Sequence, residues 1–107
     1  MVTELSVDEL EEIYLIRQAL EELITQVAIP KLSPQTLEQL DILIEKMEQA
    51  TVAEDFDNLL ELNRLFHFTL YEVSGLRILL QTINHLWDRS SVYRNLYTHL
   101  PERAPLA

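Results

Sequence analysis

Apolar residues recur at three- and four-residue steps through nearly the whole chain, and a single glycine and four prolines interrupt them. That period matches the turn of an α-helix, and so few turn-forming residues leave long helices as the economical fold. Four helices are predicted with their punctuation. Ser6 and Glu9 form a capping box ahead of Leu10, Ile13, Ile16, Leu20, Leu23, Ile24 and Val27, so the first helix should run from about Val7 to Ile29 and stop at Pro30. Ser33-Pro34 supplies an N-cap and a first-turn proline for a second helix carrying Leu37, Leu40, Leu43, Ile44 and Met47. Thr51 with Glu54, or Glu54-Asp55 alone, should open a third helix that ends at Ser74-Gly75. The fourth holds Leu76, Leu79, Leu80, Ile83, Leu86, Trp87 and Tyr97. Matched lengths for the first, third and fourth helices favour an all-α, antiparallel helical bundle, and the 107 residues suit one domain.

Two polar side chains fall inside the apolar stripe of the third helix. Phe56, Leu59, Leu60, Phe66, Leu70 and Val73 define that stripe, and Asn63 and His67 lie in it, so both should point inward toward a polar cavity bounded by the first, third and fourth helices. A buried amide or imidazole without a partner costs on the order of 1–3 kcal/mol. A neighbouring side chain, an ordered water, a metal ion or a ligand would each satisfy them. Four residues apart on one helix face is a metal-ligand spacing, and an imidazole nitrogen with an amide oxygen suits zinc, nickel, iron or manganese. Structural hydrogen bonding explains the same spacing without any metal, and on spacing alone it is the more frequent case.

Three further residues stand out. Arg17 lies beside the apolar stripe of the first helix, where it either clamps a carboxylate ligand with paired hydrogen bonds or forms an ion pair with Glu21 one turn on. Ser90 and Arg94 follow Ile83 and Trp87 on the inward stripe of the fourth helix. They line a cavity, or they simply form the polar end of an amphipathic helix. His85 should face solvent, and His99 falls in a proline-containing tail.

A formal charge of −10 argues against contact with phosphate backbones, so this chain is not expected to bind duplex DNA. No run of about twenty apolar residues exists to span a bilayer, and no basic flank marks a signal peptide, which suggests a cytoplasmic protein. Without cysteine, disulfides and thiolate metal sites are excluded. Glycine-rich phosphate loops, Ser-His-Asp sets and the Glu-x-x-His pairs of di-iron bundles are absent too, so an enzyme is not expected.

Asn63-Arg64-Leu65-Phe66-His67, then Leu70-Tyr71-Glu72-Val73-Ser74-Gly75, then Leu86-Trp87-Asp88-Arg89-Ser90-Ser91 with Tyr93-Arg94, resembles the FCD effector-binding domain of GntR-type bacterial transcription regulators, the FadR subfamily. Ile16-Arg17-Gln18-Ala19-Leu20-Glu21 resembles that domain's opening helix. The resemblance implies a ligand-sensing and dimerising all-α bundle, whose cavity holds a divalent metal through an Asp or Asn and three histidines and receives a small carboxylate effector. Asn63 and His67 match the first two ligand positions, and the neutral Asn should weaken cation binding relative to Asp. His85 and His99 do not match the remaining two. The chain therefore resembles the first part of the domain, without its closing helices and without the winged-helix DNA-binding domain that usually precedes it. Uncovered apolar stripes should then favour a homodimer, and metal should be weakly held or absent. The competing reading is an acidic helical interaction module with no ligand.

Overall fold

The computed structural model describes residues 6–98, with side chains described through Val92. Among these residues there are four α-helices and no strand: α1 (Val7–Ala28), α2 (Pro34–Val52), α3 (Phe56–Glu72) and α4 (Arg77–Thr98), with a short 3-10 turn at Ile29–Lys31. The all-α class expected from the apolar period is the class observed.

The helix starts follow local chemistry. Ser6 Oγ accepts from the Glu9 backbone N–H at 3.1 Å and donates to the Glu9 carboxylate at 3.4 Å, a reciprocal cap at the head of α1. At α2, Ser33 Oγ accepts from the Thr36 N–H at 3.1 Å, with Pro34 in the first turn. Pro30 does not end α1 abruptly. The helix stops at Ala28 and the proline lies inside the 3-10 turn, whose tighter winding accommodates the missing N–H.

The junction between α2 and α3 differs from expectation. Thr51 does not open α3: it belongs to α2, where its hydroxyl donates backward to Met47 O at 2.8 Å. Asp55 is the N-cap, accepting weakly from the Asn58 N–H at 3.4 Å. Between them the chain closes α2 with bonds from Asp55 N to Ala50 O at 2.9 Å and from Glu54 N to Thr51 O at 3.1 Å. This is the Schellman pattern, and Glu54 holds its left-handed position at φ 57°. Starting at Phe56 makes α3 only 17 residues long, shorter than the 22 of α1 and of α4.

The chain divides into two compact units. One gathers the described residues up to Glu22 with those from Ile78 onward, and the other runs Leu23–Arg77. In the first, Leu10 and Ile13 of α1 are buried and Tyr14 and Leu86 pack against them. Ile83 and Trp87 of α4 are buried as well. In the second, α2 packs along α3, burying Leu40, Leu43 and Ala50 of α2 and Tyr71 of α3. The loop after α3 is fixed from two sides. Lys31 Nζ donates to Ser74 O at 2.9 Å, and the buried Ser74 hydroxyl accepts from the Leu76 N–H at 3.1 Å. Gly75 takes φ 73°, the left-handed conformation expected of it.

The buried stripes are narrower than the apolar period suggests. Ile16, Leu23, Leu37, Ile44, Phe56 and Leu60, all expected to face inward, are exposed. On α3 the first turn lies open, and burial is strongest at Tyr71, near the opposite end of the helix.

Candidate functional site

Arg17 is the one buried cation among the described residues. It sits on α1 within the first unit, and the side chains around it explain how a guanidinium is tolerated there. Its Nε donates to Glu21 Oε2 at 2.8 Å, one helical turn away. Its Nη1 donates to Ser90 Oγ of α4 at 3.1 Å, and Ser90 in turn donates to Trp87 O at 2.9 Å. The guanidinium carbon lies 4.0 Å from the centre of the Trp87 ring and 5.1 Å from that of Tyr14. Charge balance, hydrogen bonds and two aromatic faces together offset the desolvation of the cation.

Glu21 Oε2 has a second donor, Trp87 Nε1 at 3.0 Å. One carboxylate oxygen therefore receives converging N–H groups from α1 and α4. Alongside, Tyr14, Arg17, Gln18 and Glu21 line an open groove of about 360 Å³. The Tyr14 hydroxyl is buried and has no hydrogen-bond partner among the described residues.

Of the two readings of Arg17 left open by the sequence, a clamp on a carboxylate ligand and an ion pair with Glu21, the ion pair is the one present, and the guanidinium also donates to Ser90. Ser90, fully buried, joins it directly. The Arg94 side chain lies outside the described ones. Sequence reasoning missed the Trp87 indole and the Tyr14 hydroxyl. Tyr14 is three residues from Arg17, the spacing of a neighbour on one helix face, which was an available signal.

Asn63 and His67 are on α3 in the second unit, half-buried rather than fully interior. His67 Nδ1 lies 3.3 Å from the hydroxyl of Tyr71, one turn on, and the donor there depends on the imidazole tautomer. Phe66 and Tyr71 flank the imidazole, with ring centres 5.7 Å and 5.8 Å from it. The described residues contain no cluster of three or more His, Asp or Glu side chains able to hold a metal. Asn63 and His67 are two neutral donors, whereas stable divalent sites take three or more protein ligands, often anionic ones. By themselves they do not fit a divalent ion. His85 is exposed, as expected, and His99 lies outside the described residues.

The second unit also carries an apolar groove of about 290 Å³ between α2 and α3, lined by Gln39, Ile42, Leu43, Leu65 and Thr69. None of the chemistry-bearing residues singled out above reaches it. No described helix is long and apolar enough to cross a membrane.

An all-α chain with a buried arginine cluster and an Asn-x-x-x-His pair on its third helix belongs to the FCD domain family, whose match covers residues 12–106. Among individual proteins it is similar to the HTH-type transcriptional regulator McbR of Escherichia coli (strain K12), 38% identical over 88 residues that make up 82% of this chain and 40% of McbR. A solved structure of E. coli McbR/YncC is similar at a TM-score of 0.77 and 37% identity, covering 81% of this chain and 43% of that one. The chain thus spans less than half the length of the relative it matches.

Proposed function

We propose that the chain is the ligand-sensing and dimerisation region of a GntR/FadR-type transcription regulator, and that it takes a small carboxylate effector through Arg17, Ser90 and Arg94. The observation that carries this reading is the buried Arg17, held with its donors converging beside an open groove on α1. The FCD family membership and the similarity to a transcriptional regulator support it. Its role is non-enzymatic and cytoplasmic. DNA is bound by a winged-helix region outside this chain, in keeping with the charge of −10 here. In a homodimer, a ligand that favours one arrangement of the two copies shifts the spacing of their DNA-binding regions, because only differential affinity moves such an equilibrium. Asn63 and His67 take the first two places of a divalent-metal shell in the intact domain. This chain alone holds the metal weakly or not at all.

A thermal-shift panel of small mono- and dicarboxylates tests the reading. At a hundredfold excess over its dissociation constant, a binding acid should raise the melting temperature by roughly 5 °C or more. Arg17→Leu should abolish the response. A panel in which no acid stabilises the wild-type chain, or in which Arg17→Leu responds equally, rejects it.

A further inference from the structure

The groove beside Arg17 opens next to a carboxylate that is already in place. Glu21 Oε2 accepts from Arg17 Nε at 2.8 Å and from Trp87 Nε1 at 3.0 Å, one donor charged and the other a rigid indole. Charge-assisted donors converging on one oxygen are how proteins hold carboxylate ligands. Here that position is filled by the chain's own side chain. The guanidinium has little freedom to serve a second anion elsewhere, since the Trp87 ring lies 4.0 Å away on one side and Ser90 takes Nη1 at 3.1 Å.

A guest carboxylate entering the groove meets the Glu21 charge at close range. Like charges this close disfavour each other by about one to three powers of ten in binding, and a single guanidinium balances only one of them. Glu21 has the means to leave. It is only partly buried, and rotation about its own side-chain bonds moves its carboxylate without disturbing the α1 backbone. Tyr14 lines the same groove, and its hydroxyl is buried with no hydrogen-bond partner among the described residues.

Resting on the carboxylate reading above, we infer that Glu21 is an internal occupant of the effector's anion position, and that small carboxylates bind by exchanging with it. Trp87 reports the exchange, because its indole N–H is handed from one carboxylate to the other. Glu21 thereby sets a threshold. Weak acids fail to displace it, whereas a ligand with further contacts in the groove succeeds.

The probe is acetate, followed by calorimetry and by emission of Trp87, the chain's single tryptophan. It is titrated into the wild-type chain, Glu21→Ala and Glu21→Gln at matched ionic strength, with chloride as the control. Exchange predicts that acetate binds Glu21→Ala at least about tenfold more tightly than wild type. It also predicts that acetate, unlike chloride, recovers part of the thermal stability lost in that variant. Glu21→Gln should lie between, since its amide oxygen still accepts from Arg17 and Trp87 but carries no charge, and it supplies the comparison if Glu21→Ala does not fold. Equal acetate affinity in wild type and both variants overturns the exchange while leaving Arg17 as a carboxylate clamp. Acetate behaving as chloride does in all three overturns the exchange and the Arg17 reading together.

Discussion

The α1–α4 cluster around Arg17 and the half-buried α3 stripe around His67 both carry polar chemistry, but it is the first that meets a buried charge with a counter-charge. Arg17 has a counter-charge in Glu21, a hydroxyl in Ser90 and two aromatic faces. His67 has a neutral phenol at 3.3 Å and two ring neighbours, with Asn63 half-buried one turn before it. A buried charge tolerates no missing partner, because an uncompensated ion costs several kcal/mol. Neutral groups lose much less. The first region is therefore closed by its own charges when no ligand is present, whereas the second is proposed to gain its chemistry from a metal added to it.

The comparison breaks if the two regions respond alike to truncation. Arg17→Leu removes the counter-charge of Glu21 and should destabilise the chain by about 2–3 kcal/mol, below the full value for a buried pair because the two side chains are 11% and 15% exposed. Urea denaturation of the variant against wild type measures it. Trp87→Phe keeps an aromatic face for the cation but removes the indole donor and some volume. Its expected cost is about 1–2 kcal/mol by the same assay. Tyr71→Phe on α3 removes one long hydrogen bond to His67 and should cost only about 0.5–1 kcal/mol. A Tyr71→Phe loss as large as that of Arg17→Leu would show that α3 is as tightly integrated as the arginine cluster.

Two smaller effects sharpen the contrast. Glu54 occupies a left-handed position that suits glycine, so Glu54→Gly should stabilise the chain by about 0.5–1 kcal/mol. If, as proposed, Asn63 and His67 by themselves form an incomplete metal shell, a chelator should leave the melting temperature of this chain unchanged. In a version extended through the closing helices, calorimetry should detect tight binding that His67→Ala removes.

Signals confined to one turn were readable in the sequence because the donor and acceptor are fixed by local geometry. Ser6 with Glu9, Ser33 with Pro34, and Gly75 all act as their spacing implies. Thr51 misled because a threonine hydroxyl either donates to the helix behind it or accepts from the one ahead, and here it donates to Met47 O. Arg17 with Glu21 was visible as a neighbouring pair. Its partners on α4 were not, since Ser90 is 73 residues away and the Glu21–Trp87 bond spans 66. The apolar period placed Ile83, Trp87 and Ser90 on the inner face of α4 correctly but overestimated the width of the buried face on α1 and α3. Periodicity reports which residues share a side, and only packing decides how far burial extends around it.

The most direct test of the account is the indole resonance of Trp87, a single peak in a ¹H–¹⁵N spectrum of a chain with one tryptophan. It is followed while an acid that raises the melting temperature is titrated in. Exchange at Glu21 should move this peak progressively to a new position, with little change in the backbone amides flanking Asn63 and His67. A Trp87 peak that stays fixed while those α3 amides shift would place ligand binding at the wrong centre and contradict it.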